Sequence, residues 1–272
     1  MGRGHFYKRS TKTYIPRYNC KSCKRSFSTR TTSSTFKQKR TDLNYPIAKL
    51  YTSGVALRQI ARVLDCNYKT VFKKFIWMGL RAKNSHHQQD LASETLLFDE
   101  SETIEHTKLK PLTIAVAVNE HYKILGIKVG TIPAKGKTAS ISRKKYGYRE
   151  NQSLSKTTEL LSDISSQISQ PFKLIKSDAK PSYKNVVKTI FPESTYQQFI
   201  AEEHKEKRRE QKYLKTEKHV FDPLFEVNHI CARLRDHIKR LARRSWCTTK
   251  RKENLELNLY LYIAVKNGYD FL

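Results

Sequence analysis

The sequence predicts an α+β / α/β protein in which a small basic helical N-terminal domain precedes a mixed-sheet domain that ends in helices. Three observations carry this: apolar residues recur at helical spacing between Tyr45 and Leu80, short apolar runs split by polar turns follow from Leu96 to Ala201, and the helical period returns after Asp222. At 272 residues the chain is near the upper limit of what one core organises, so small modules beside a larger domain are expected.

Composition narrows the function classes. Lysine and arginine number 53 against 25 aspartates and glutamates, a net charge of +28, which points to a polyanion partner and most simply to nucleic acid. An apolar fraction of 38% with 11% aromatics exceeds that of an unstructured basic tail. No window of about eighteen apolar residues occurs, and MGRGHFYKRS has no apolar stretch behind its charges, so a cytoplasmic protein without a membrane partner is expected. The five cysteines (Cys20, Cys23, Cys66, Cys231, Cys247) are odd in number and scattered, which fits reduced thiols and not a disulfide framework.

Residues 1–40 hold twelve lysines and arginines and no acidic residue, and read as a basic arm, nucleic-acid-facing or disordered. Within it YNCKSCKRSFS gives Cys20 and Cys23 the spacing of one zinc-ribbon knuckle, while upstream only His5 could add a ligand, so zinc is expected at most as a partial site. Residues 41–82 read as a helix-turn-helix: two short amphipathic helices break at Asp65 to Asn67, with Leu57, Ile60, Ala61, Leu64, Val71, Phe72 and Phe75 on the apolar face. Tyr68, Lys69, Thr70, Lys73 and Lys74 are then expected on the exposed side, the bland alternative being a helical hairpin with merely solvated lysines. Residues 83–93, KNSHHQQDLAS, read as a linker.

Residues 94–272 form the larger domain. Strands are expected over 96–102, 112–118 and 123–130, a helix over 156–168, a strand over 172–179, a helix over 183–191 and a short strand over 194–201. Glu202 to His219 reads as a solvated insertion, Asp222 as the N-cap of a helix running from Pro223 to about Arg244, and Glu253 to Lys266 as a last helix. Three strands, helix, strand, helix, strand, long helix is the element order of a ribonuclease-H-like domain.

In so basic a chain, clustered acids need a reason. Glu94, Asp99, Glu100, Glu102 and Glu105 crowd one segment; Asp99 follows Leu96, Leu97 and Phe98, and Asp178 likewise follows Phe172, Leu174 and Ile175. Two aspartates at strand ends of one sheet can meet and hold magnesium or manganese with open positions for phosphate oxygens. On the long helix Leu224, Val227, Cys231, Leu234, Ile238 and Leu241 form an apolar stripe; Asn228 and Arg235 lie on one edge and Glu226 on the other, so either Asn228 or Glu226 could complete the site.

The segments YNCKSCKRSFS, SGVALRQIARVLDCNYKTVFKKF, LLFDESETIEH, KILGIKVGTIPAKG, IKSDAKPSY and DPLFEVNHICARLRDHIKRLARRSWCTTK together resemble the DDE-type transposases of small bacterial insertion sequences, over nearly the full length. In that family a zinc ribbon and a helix-turn-helix precede a ribonuclease-H-like catalytic domain. Matching RLARRS to the family's RLxRKT-like ending puts the third catalytic position at Asn228, so the resemblance implies the triad Asp99, Asp178, Asn228, with Arg235 contacting phosphate. It further implies two magnesium or manganese ions about 4 Å apart, held by those three residues, for strand cleavage and strand transfer. The implied partners are double-stranded DNA, as terminal inverted repeats and target, and further copies of the chain in a homodimer or higher synaptic complex at the bacterial nucleoid. The basic residues Lys135, Lys137, Arg143, Lys144, Lys145 and Arg149, and Lys239, Arg240, Arg243, Arg244, Lys250 and Arg251, would track phosphates. Trp246 reads mainly as a core aromatic, with stacking on an unpaired base as the alternative; His229 is ambiguous. The rival function is that of a decayed or repurposed transposase that only binds DNA.

Overall fold

The structure is a computed structural model that describes residues 2–9, 12–200, 222–242 and 246–272. The expected insertion at Glu202 to His219 and the cations Arg243 and Arg244 lie outside the described residues. What is described is a mixed α/β protein with a five-stranded mixed sheet and a separate three-stranded one.

The N-terminal arm carries three strands, which corrects the disordered one of its two readings. Strands β1 (Gly2–Lys8), β2 (Thr13–Asn19) and β3 (Ser26–Ser28) pair antiparallel in that order. Charge masks a period-two pattern here: the register sets Phe6 opposite Ile15, Tyr7 opposite Tyr14 and Tyr18 opposite Phe27, and such aromatic cross-strand pairs hold a small sheet together.

Three helices follow, α1 (Asn44–Thr52), α2 (Leu57–Val63) and α3 (Tyr68–His86). The Gln59 side chain accepts from the Ala56 amide at 3.2 Å, and Asn67 caps α3 by accepting from the Lys69 amide at 2.8 Å. Asp65, at φ +43°, reverses the chain between α2 and α3. The expected linker is anchored instead: residues 83–86 complete α3, His86 and Leu91 are buried, and the Leu91 amide donates to the Gln167 carbonyl at 3.0 Å.

Strands β4 (Thr95–Ile104), β5 (Pro111–Asn119) and β6 (Ile124–Thr131) form an antiparallel meander. After α4 (Ala139–Tyr146) and α5 (Ser153–Ser165), strand β7 (Leu174–Asp178) returns to pair parallel with β4. Helix α6 (Pro181–Ile190) then carries the chain to β8 (Thr195–Phe199), parallel to β7, giving the order β6-β5-β4-β7-β8. Parallel neighbours need such a crossover, and Pro181 at the first position of α6, where its missing N–H costs nothing, starts it.

Alternation sorts β4 between two layers. Leu96 and Phe98 pack with α5 and α6, while Leu97 packs on the face covered by α7 (Phe225–His237) and α8 (Lys252–Asn267). Helix α7 is shorter than its sequence suggests. Asp222 sits just ahead of it, accepting from the Leu224 amide at 3.0 Å, and the helix ends at His237, where Ile238 turns to extended backbone and buries its side chain instead of continuing the stripe.

Helix α3 lies along α8, so the side chains of α1 to α3 and those between the sheet and α8 form one continuous core. Gly79 allows this approach: a Cβ there would stand 2.8 Å from the Leu257 Cβ. Gly79→Val should destabilise the whole protein by about 1–3 kcal/mol in a single thermal transition; an unchanged Tm would show that α3 does not bear on α8 in this way.

Candidate functional site

The parallel register of β4 and β7 pairs Phe98 with Ser177, so the next residues, Asp99 and Asp178, are neighbours on adjacent strands and point to the α7 face. Asp99 is not at the end of its strand, as expected, because β4 runs on to Ile104 along β5; it is β7 that stops here, with Asp178 as its last residue.

The pair is electrostatically uncomfortable. Burial, together with the negative charges of Asp178 and Glu100, lifts the Asp99 carboxyl from its ordinary 3.8 to about 6, against the Glu100 amide that donates to its Oδ1 at 2.7 Å. Burial raises Asp178 as well, and its Oδ1 is buried without a hydrogen-bond partner. Among the described residues ion pairs engage Glu94 with Lys173, Glu100 with Lys180, Glu102 with Lys135 and Glu105 with Lys110, but neither Asp99 nor Asp178. A partnerless carboxylate oxygen beside a second carboxylate is a donor set suited to a hard cation.

Helix α7 supplies the roof, and its neighbours decide which edge faces the pair. His237 Nδ1 lies 3.1 Å from the Tyr262 hydroxyl, and Arg233 also reaches Tyr262, so the edge that carries Glu226 faces α8. The opposite edge faces β4: Arg235 Nη2 donates to the Ser101 hydroxyl at 2.7 Å and its charge acts on Asp99, while burial and the Asp99 charge push the thiol of nearby Cys231 up to about 12. Asn228 lies on this edge, exposed, and its Nδ2 donates to Asp222 Oδ2 at 3.0 Å. Asn228 and Arg235 therefore share the edge of α7 that bears on the Asp99 strand, and Glu226, its Oε2 buried without a partner, lies on the other edge. His229 belongs elsewhere, stacked on Phe225 and edge-on to Tyr122.

Glu100, one residue from Asp99 and therefore on the reverse face, is a side chain that residue spacing did not single out. It accepts from Ser153 Oγ, Thr157 Oγ1, Lys180 Nζ and Tyr183 Oη at 2.7–3.1 Å. These bonds tie β4 to α5 and to the start of α6, directly after Asp178, and the alternation that places Phe98 and Glu100 on one face was the available signal.

The proposed DNA-contacting cations divide. Tyr68, Lys69 and Lys73 are exposed on α3 and Thr70 is half-buried, with Arg58 of α2 over the Tyr68 ring. Lys74 is a correction: only 6% exposed, it donates to Asn44 Oδ1 at 2.6 Å and braces α3 against α1. Lys144 and Lys145 are exposed on α4, whereas Arg240 is tied to the Thr248 carbonyl at 3.2 Å. Trp246 is fully exposed, so it is not the core aromatic its setting suggested.

Cys20 and Cys23 sit on the β2–β3 turn, closed by the Cys20 amide donating to the Arg25 carbonyl at 2.9 Å and the Lys24 amide to the Cys20 carbonyl at 3.1 Å, with Lys24 left-handed at φ +57°. Backbone hydrogen bonds from Cys23 and Ser22 lower the Cys20 thiol pKa. Among the described residues no three His, Cys, Asp or Glu side chains converge as one ligand set, there or around Asp99. Nor, among them, is any helix long and apolar enough to cross a membrane.

No family profile and no curated protein sequence matches the chain.

The raised Asp99 pKa has a measurable consequence. Between an unfolded value near 3.8 and a folded value of about 6 the native state holds a proton the unfolded chain has released, so stability falls as pH rises through that window and the penalty is complete above it. In divalent-free buffer at pH 7.5, Asp99→Asn should therefore stabilise the protein by as much as about 3 kcal/mol, the gain shrinking towards pH 4. A variant less stable than wild type at pH 7.5 would contradict the buried, uncompensated charge.

Proposed function

We propose that the chain is a DDE-type transposase, which binds the ends of an insertion sequence and catalyses divalent-metal-dependent DNA cleavage and strand transfer through a ribonuclease-H-like domain. The observation that carries the reading is the side-by-side placement of Asp99 and Asp178 on adjacent parallel strands, with Arg235 of α7 acting on Asp99, in a chain of net charge +28. Strand order 3-2-1-4-5, counted from β4, with the last two strands parallel to the first, supports the fold assignment. Asp99, Asp178 and Asn228 are the side chains that would hold magnesium or manganese, which supplies Lewis-acid activation of the nucleophilic and leaving oxygens.

The chain's own residues do the positioning. Arg235, fixed by Ser101, sets a guanidinium beside the pair where a phosphate would approach, and the cover of α7 keeps the carboxylates out of bulk water, where charge acts more strongly. Helices α2 and α3 are read as a helix-turn-helix, with Tyr68, Lys69, Thr70 and Lys73 toward the major groove. The Cys20–Cys23 turn is read as one zinc-ribbon knuckle. The working unit is a homodimer or larger synaptic complex that holds two DNA ends in the cytoplasm.

Incubation with DNA carrying the flanking ends, in magnesium and in calcium, separates this from a DNA-binding relic. Wild type should nick at the ends with magnesium, and Asp178→Asn should lose at least a hundredfold in rate, roughly 3 kcal/mol of barrier, while binding the ends unchanged. Cleavage retained in Asp178→Asn would remove that residue from the site, and binding without cleavage by wild type, even with manganese, would favour the relic.

End recognition has its own test. Because α1 to α3 share the core of the sheet, deleting them would expose that core, and point changes are cleaner. Lys69→Ala with Lys73→Ala should weaken end binding about tenfold or more at moderate salt and flatten its salt dependence by about two charges. An unchanged salt slope would take α3 out of the groove.

A further inference from the structure

The segment between β6 and α5 builds a cleft that the proposed chemistry does not use. Past Thr131 the chain runs through Pro133 and Ala134, forms α4, and is then turned back by Gly147 at φ +74°, ψ −163°, a conformation essentially reserved for glycine. The turn brings Tyr148 out 79% exposed at a cleft of about 470 Å³ lined by Pro133, Ala134, Ala139, Arg143 and Arg149. Arg149 is held in place, its Nη2 donating to the Pro111 carbonyl at 3.1 Å, so its charge stands at the rim with a fixed direction. Lys144 and Lys145 continue the cationic margin along α4.

An apolar floor, one exposed aromatic ring and a rim of fixed and mobile cations match a nucleotide: a base to stack, a phosphate to neutralise. Stacking on such a ring contributes about 1–3 kcal/mol per base, but only when the base face is free, which paired DNA does not offer. The volume also fits a small-molecule-sized occupant and not a duplex.

We propose that this cleft holds one unpaired nucleotide of the DNA bound at the Asp99–Asp178 site, with its base against Tyr148 and its phosphate on Arg143 and Arg149. The inference rests on the transposase reading. Ile104 pairs with Pro111 five residues beyond Asp99, about 17 Å along the strand, and the cleft lies two strands across, so it stands roughly 20 Å from the acidic pair. The nucleotide it takes therefore belongs to the flank of the bound strand and not to the step being cut.

The test uses the full chain, a duplex with a single-stranded flank carrying 2-aminopurine at each flank position in turn, and the same duplex fully paired. Anisotropy reads binding, and 2-aminopurine quenching reads stacking. Wild type should bind both DNAs and quench at one flank position or two adjacent ones. Tyr148→Ala, a change at an exposed residue, should lose that quench and about tenfold in affinity for the flanked DNA while binding paired duplex as wild type does. Tyr148→Phe should keep both. Wild-type binding with no quenching at any position, or quenching that survives Tyr148→Ala, would overturn the cleft's role alone. Failure of wild type to bind either DNA would overturn the transposase reading and the cleft with it.

Discussion

The parallel pairing of β4 with β7 is the constraint on which the rest of the molecule turns. Sliding β7 by one residue would point Asp178 to the opposite face, into the layer of α5 and α6, and leave Asp99 alone. The register is held from both sides: Ile175 and Ser177 face the α5–α6 layer with Phe98, and Lys180, just beyond Asp178, is bound through Glu100. The hydrogen-bonded acid on one face of β4 thus fixes the position of the poorly compensated acid on the other. Glu100 with its several hydrogen-bond partners stabilises, Asp99 with its raised pKa destabilises, and the two are adjacent in sequence. Such opposition between stability and local strain is the common condition of a functional site.

A second constraint is the shared core. Helix α3 seats on α8 through Gly79, α8 seats on β6, and α7 crosses β4 and β5, so the exposed face of α3 and the acidic pair are parts of one packed body. The expected break between a helical module and a sheet module is absent from the packing: Lys74 braces α3 to α1 and Leu91 is buried under the connection. On the reading proposed above, DNA held on α3 would lie at a distance from Asp99 that is set by packing and not by a tether.

Much of this was legible from residue patterns, and the failures share a cause. Periods of two and 3.6 are strong where apolar residues dominate, and there the strands β4 to β8 and helices α3, α5, α6 and α8 fall within a few residues of expectation. The N-terminal sheet was missed because its alternation is carried by tyrosines and lysines, which read as charge before they read as strand. Lys74 was misassigned because a lysine on the margin of an apolar stripe can bury its stem and meet Asn44, a partner thirty residues away that spacing cannot reveal. Trp246 failed in the opposite direction, since a large aromatic near a helix end is usually core. Helix α7 carried its stripe past its true end because Ile238 is buried from extended backbone.

On the reading proposed above, local electrostatics favours an amide over a carboxylate at position 228. Burial raises the cost of ionising both Asp99 and Asp178, the charge of Asp178 adds to it at Asp99, and Asp222 stands against residue 228 with an oxygen 3.0 Å from its side chain. A carboxylate at 228 would face a like charge at hydrogen-bond distance and would have to hold a proton or turn away. An amide meets the same neighbour with a donor: its nitrogen binds Asp222 while its oxygen remains an acceptor. Asparagine at this place thus lets Asp222, six residues earlier and just ahead of the helix, sit against it without repulsion.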